Sequence, residues 1–151
     1  MNCTISPFGK IGNDKVFLYT ITTEDGLEIS ITNYGAIITA INLYTKNNEC
    51  LKLVYGFGHL QPYLNCNFYP GAIVGRYANR IAGAEFNIGD KHFDLTKNEA
   101  NNQLHGGFNG FNTKVWETHL FEQVNGVCTL RFFLQSPNAE EGFPGNLDVW
   151  V

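Results

Sequence analysis

Apolar and polar residues alternate with a period of two along most of this chain, and almost nowhere with the period of a helix. Residues 16–22, 27–32 and 37–44 are runs rich in β-branched and aromatic side chains. Because successive strand residues face opposite ways, each run offers one apolar face to a core. The separators carry turn chemistry: Glu24-Asp25-Gly26 after the first run and Asn33-Tyr34-Gly35 after the second. Residues 85–88 and 92–95 flank Gly89-Asp90-Lys91, and residues 115–121 and 127–134 flank Asn125-Gly126, the stronger hairpin signal. Only residues 58–64 offer a helical turn or two, and Pro62 limits even that. Many short strands with regularly spaced turns predict an all-β, antiparallel sandwich. No repeat or linker divides the chain, so one domain is expected over residues 1–151.

Charge and cysteine usage narrow the function classes. A net charge of −4, with ten scattered Lys and Arg, argues against a nucleic-acid or anionic-membrane partner. No run of about 18 apolar residues is present to span a membrane. The N-terminal residues lack the pattern of a secretory signal. Cys3, Cys50, Cys66 and Cys128 are too few and too spread for a disulfide framework, so reduced thiols in a cytoplasmic protein are expected. The last strand, residues 147–151, stops at full hydrophobicity with Trp150 and Val151. That ending is expected to belong to a fragment, with an open sheet edge through which copies of the chain could self-associate.

Two segments break the strand pattern. Residues 70–83 (PGAIVGRYANRIAG) hold Arg76 and Arg80 with Asn79 between them. Asn and Arg offer directional hydrogen bonds that a neutral polyol can take up. The alternative is that Arg76 and Arg80 pair with carboxylates and satisfy loop carbonyls. Residues 98–111 (NEANNQLHGGFNGF) place His105 before two glycines, which let a backbone approach a ligand closely. An imidazole there can donate and accept hydrogen bonds at once; it can equally cap a turn. Phe108, Phe111 and Trp116 can stack on a sugar face or fill the core.

The remaining candidates point elsewhere or nowhere. His59, His92 and His119 lack paired ligands in the sequence, so no metal is expected. Glu140 and Glu141 open a turn and are expected to be solvated. Neither glycine cluster precedes a helix, which excludes a phosphate loop, and no Gly-x-Ser-x-Gly elbow occurs.

Taken together, residues 75–83 (GRYANRIAG), 102–107 (NQLHGG) and 140–147 (EEGFPGNL) resemble the aldose 1-epimerase (galactose mutarotase) family, in order and in spacing. Asn33-Tyr34-Gly35-Ala36, and Gly110-Phe111 leading to Val115-Trp116-Glu117, extend the resemblance over essentially the whole chain. The resemblance implies the front part of a larger β-supersandwich. It implies interconversion of the α and β anomers of hexoses such as galactose and glucose, with no cofactor. By the same resemblance Asn79 and Arg80 bind sugar hydroxyls, and His105 hydrogen-bonds the sugar near its reacting end. The family's general acid and base fall beyond Val151, so catalysis by this chain alone is not expected. An inactive carbohydrate-binding relic is the other reading.

Overall fold

The computed structural model describes residues 1–47 and 49–151. The strands run β1 (Asn2–Ile11), β2 (Asp14–Thr22), β3 (Leu27–Thr32), β4 (Ile37–Tyr44) and β5 (Cys50–Lys52), followed by one helical turn, α1 (Gln61–Leu64). Then come β6 (Arg80–Ile81), β7 (Glu85–Ile88), β8 (Lys91–Asp94), β9 (Gln103–Leu104), β10 (Glu117–Val124), β11 (Val127–Ser136) and β12 (Leu147–Trp150). The first five form one sheet in sequence order, and β10, β11 and β12 form a second. The ladders β6–β9 and β7–β8 stand apart as two-stranded pieces, and every pairing is antiparallel. The expected all-β antiparallel class is what the chain adopts.

Of the strands outside the predicted runs, β1, β5, β6 and β9, the longest is β1. β1 contains Pro7 and Gly9, both of which argue against a strand interior. It forms because it is an edge strand, where a missing N–H costs no ladder bond, and because a bulge between Pro7 and Gly9 absorbs the irregularity. At the other extreme, Asn125 and Gly126 have φ of 52° and 78°, the left-handed pair that a two-residue hairpin turn demands.

The main core joins the two larger sheets. Tyr19 from β2 packs edge-on against Phe132 from β11 and Phe121 from β10, and Trp116, 1% exposed, completes the cluster with Phe111 and Leu134. The Tyr19 hydroxyl shares a 2.5 Å hydrogen bond with the Thr118 hydroxyl. Trp116 donates its indole N–H to the Phe111 carbonyl at 3.0 Å, so its one polar group is satisfied. Asn33 ties the sheets again: its Oδ1 accepts from Phe17 N–H and its Nδ2 donates to the Trp116 carbonyl. A second cluster seats Leu60 and Tyr63 of the α1 region on Val16, Tyr34 and Ile37. A third, around Ala84, Leu95 and Phe143, lies where the small ladders meet the 140–145 turn.

Cys50 and Cys66 lie apart, while Cys3 on β1 and Cys128 on β11 face each other, sulfur to sulfur. The separation of 125 positions between Cys3 and Cys128 hid this proximity, because it is the packing of β1 beside the β10–β11 hairpin that brings them together. Gln123 donates to the Met1 carbonyl at 3.0 Å along the same seam. Among the described residues, the outer edge of β12 has no strand partner, as expected. No described helix is long and apolar enough to cross a membrane.

Candidate functional site

The two polar segments meet at the small β6–β9 ladder. Arg80 pairs with Leu104 and Ile81 with Gln103, which sets Asn79 and His105 side by side just outside the ladder. Both take left-handed backbone, with φ of 69° at Asn79 and 51° at His105, conformations that Asn and His tolerate better than most residues. Two hydrogen bonds lock the pair: His105 N–H to the Asn79 carbonyl at 3.0 Å, and Asn79 N–H to His105 Nδ1 at 2.9 Å. An N–H facing Nδ1 requires a lone pair there, so the neutral ring carries its proton on Nε2. The ring of Tyr69 packs edge-on against the imidazole, centroids 4.5 Å apart.

Arg80 is held by a partner that sequence reasoning passed over. Glu99 accepts from Arg80 Nε at 2.6 Å and from one terminal nitrogen at 2.5 Å, and the other terminal nitrogen donates to Asn79 Oδ1 at 3.2 Å. The hydrogen bond from Arg80 holds the Glu99 carboxyl below its ordinary range, and Glu99 in turn raises the guanidinium. The structure thus brings Asn79, Arg80 and His105 into one hydrogen-bonded cluster. It lies on an exposed face and does not line a single enclosed pocket. A hollow of about 310 Å³ includes Tyr69, Asn98, Gly107 and Phe108. Another, of about 330 Å³, includes Tyr77, Arg80, Phe86 and Phe143.

Glu141 supports the loop after His105. Its carboxylate accepts from Phe108 N–H at 3.1 Å, from Asn109 N–H and Nδ2 at 2.9 Å each, and from the Thr96 hydroxyl. Burial pushes this carboxyl up, but the hydrogen bonds from Thr96, Asn109 and Phe108 outweigh it and the net shift is downward. Gly107 is required beneath it: a Cβ there would lie 2.1 Å from a Glu141 oxygen, and φ is 99°. Gly106 is required too, since its Cβ would meet the Gly75 carbonyl at 1.8 Å. Glu140 is also engaged, with Lys114 Nζ at 2.5 Å and with the Ser136 hydroxyl. The expectation that Glu140 and Glu141 are solvated is therefore overturned. The partners lie 4 to 45 positions away, so no local pattern announces them.

Both arginines meet the alternative reading in part: Arg80 pairs with the Glu99 carboxylate, and Arg76 donates to Ser136 Oγ and to the carbonyls of Ser136, Pro137 and Pro144, all at 2.8–3.0 Å. Phe111 and Trp116 are core, and Phe108 is exposed. His59 is exposed, and His119 lies on the sheet surface against Phe133 and Trp150. His92 does have carboxylates beside it, contrary to expectation: it lies across the β7–β8 hairpin from Glu85, with Asp94 on the same strand. All three side chains are exposed, and their ligand atoms fall within 4.8 Å of one another.

Comparison with known proteins gives consistent findings. Residues 18–151 match the family model described as aldose 1-epimerase. The chain is 43% identical over 127 residues to the galactose mutarotase of Mus musculus, covering 84% of this chain and 36% of that one. It superposes on a galactose 1-epimerase from Lactobacillus acidophilus with a TM-score of 0.87 at 21% identity, covering 99% of this chain and 43% of that one. An aldose epimerase homologue from C. elegans gives 0.78 at 26% identity, over 89% of this chain and 40% of its own. The chain spans little more than a third of the length of the curated relatives it matches.

Proposed function

This chain belongs to the aldose 1-epimerase family, and on that premise we propose that it carries the sugar-holding part of a hexose mutarotase, with Asn79, Arg80 and His105 as the binding residues. The substrates are neutral hexoses such as galactose and glucose, whose α and β anomers interconvert. In that reaction a base takes the proton of the C1 hydroxyl while an acid protonates the ring oxygen and the C1–O5 bond opens. The aldehyde turns about C1–C2 and closes by the reverse transfers. Residues 1–151 form a portion of a single domain of this kind.

One observation carries the reading: the Asn79 N–H to His105 Nδ1 hydrogen bond leaves His105 with a donor at Nε2, suited to a sugar oxygen. Such a donor binds and polarises; it does not by itself complete the two proton transfers. The carboxylate that touches the cluster, Glu99, has both oxygens on Arg80, so it is poorly placed to act as the base. Galactose is therefore expected to bind to this chain without speeding anomer exchange.

Galactose titration followed by two-dimensional NMR tests the binding half. Shifts are expected at Asn79, His105 and Gly106, and His105→Ala should weaken binding about tenfold, the equivalent of one well-made hydrogen bond. A titration that leaves the His105 signals unmoved would overturn the assignment. Polarimetry tests the other half: anomeric relaxation clearly faster than buffer would show that the chain also supplies proton transfer.

Cytoplasmic placement belongs to the same proposal and carries its own check. In a reducing compartment Cys3 and Cys128 would be thiols, so four alkylatable cysteines are expected from protein trapped in intact cells. Self-association through the bare edge of β12 would appear as a concentration-dependent rise in sedimentation coefficient.

A further inference from the structure

Arg80 would ordinarily anchor an anion. A guanidinium presents five N–H groups in a fixed fork suited to carboxylate and phosphate oxygens. Here Glu99 occupies one two-point edge of that fork, at 2.6 and 2.5 Å, and Asn79 Oδ1 takes a third N–H at 3.2 Å. Two N–H groups are left, one on each terminal nitrogen.

The carboxylate is not a loose surface side chain. Glu99 and Asn102 exchange backbone hydrogen bonds at 3.2 and 2.8 Å, closing the turn that presents Glu99. Asn102 Oδ1 accepts from Gly83 N–H at 3.2 Å, and the neighbouring Asn98 side chain bonds both N–H and carbonyl of Leu104. The turn is thereby stitched to β9 and to the segment just after β6. Glu99 is only 35% exposed at its side chain, against 54% for Arg80.

We propose that Glu99 is a specificity-determining residue of this site: by holding Arg80 in a two-point ion pair it converts a cationic anchor into a neutral reader of vicinal hydroxyls and turns away anionic sugars. This rests on the hexose reading of the cluster. A diol accepts from the two remaining Arg80 N–H groups and donates its own protons to spare lone pairs on Glu99. A carboxylate or phosphate on the sugar has no proton to give and meets the Glu99 charge, so it must displace Glu99 or bind against it. The lowered Glu99 carboxyl agrees, since the pair stays ionised through neutral pH.

The test compares Glu99→Gln with the natural chain, using NMR titrations of galactose, galacturonate and galactose 1-phosphate at low salt. The two anions carry their charge at opposite ends of the ring, so the result does not depend on which way the sugar lies. Glutamine keeps the size and one acceptor oxygen while removing the charge. The natural chain should bind galactose at least tenfold tighter than either anion. Glu99→Gln should improve at least one anion about tenfold while galactose weakens, since the diol loses an acceptor, so the preference for galactose over that anion falls more than tenfold. That gain should shrink in about 0.5 M sodium chloride, and Glu99→Asp, which keeps the charge, should keep the discrimination. If the natural chain binds galactose and Glu99→Gln leaves both anions as weak as before, the role of Glu99 is refuted while the hexose site stands. If the natural chain does not bind galactose, both fall.

Discussion

Glu141→Ala is expected to cost about 3 kcal/mol of folding stability and to weaken galactose binding at least tenfold, although Glu141 does not belong to the Asn79–Arg80–His105 cluster. The carboxylate gathers four donors: the Thr96 hydroxyl, the backbone N–H groups of Phe108 and Asn109, and the Asn109 side chain. Hydrogen bonds to a charged acceptor are the strong class, and Thr96 is partly buried, so its loss is not fully repaired by water. Three of the donors lie within four residues of His105, so the loop that presents the imidazole loses its main tether. Glu141→Gln should fall between, because its amide N–H₂ would confront the N–H groups that now point at an oxygen. The pH dependence has a definite sign. A carboxyl lowered in the folded state contributes stability that is complete above its unfolded value of 4.5 and is lost as pH falls through the lower, folded value. Urea titrations of the natural chain and Glu141→Gln should therefore differ most near pH 7 and converge below the ordinary carboxylate range. A constant difference down to pH 3 would contradict the charged tether.

How much of this was readable depends on how far each signal reaches along the chain. Local chemistry predicted local structure well. Asn125-Gly126 forms the hairpin turn it advertised, and the alternating runs became β2, β3, β4 and β11 almost to the residue. β1 was hidden because Pro7 and Gly9 oppose a strand locally, and only pairing with β2, with a bulge, accommodates them. The cluster was half legible. Asn79, Arg80 and His105 stood out as polar residues in glycine-rich loops within a recognisable motif order. Glu99 lay in the same quoted loop and was overlooked, since nothing local distinguishes an ion-paired carboxylate from a solvated one; its partner is 19 positions away. For Glu141 the turn was read correctly, as its φ of 51° attests, but the work of its side chain depends on loops 32 to 45 positions earlier. Hydrogen bonds of that range are decided by topology, which alternation alone does not specify.

The two arginines of the 70–83 segment sharpen the same point, because their replacement should give opposite signatures. Arg76→Ala is expected to cost about 3–5 kcal/mol. Its guanidinium donates to three carbonyls and to the hydroxyl of Ser136, a fully buried residue. That hydroxyl passes its own proton toward Glu140, which also faces Lys114, so removing Arg76 strips the donors and unbalances a chain of charges. Burial lowers the Arg76 pKa while Glu140 opposes the shift, the mark of a cation retained for its contacts. Arg76→Lys should recover only part of the loss, since one ammonium cannot span the same acceptors. Arg80→Ala, by contrast, removes an exposed, solvent-screened ion pair and should leave folding stability nearly unchanged. It should nevertheless abolish most galactose binding if, as proposed, the remaining Arg80 N–H groups are the donors offered to sugar hydroxyls. Urea denaturation read by tryptophan fluorescence, paired with galactose titration, separates the two. If Arg80→Ala proved the more destabilising, or Arg76→Ala lost binding while remaining as stable as the natural chain, the division of this loop into a suture and a sugar contact would be wrong.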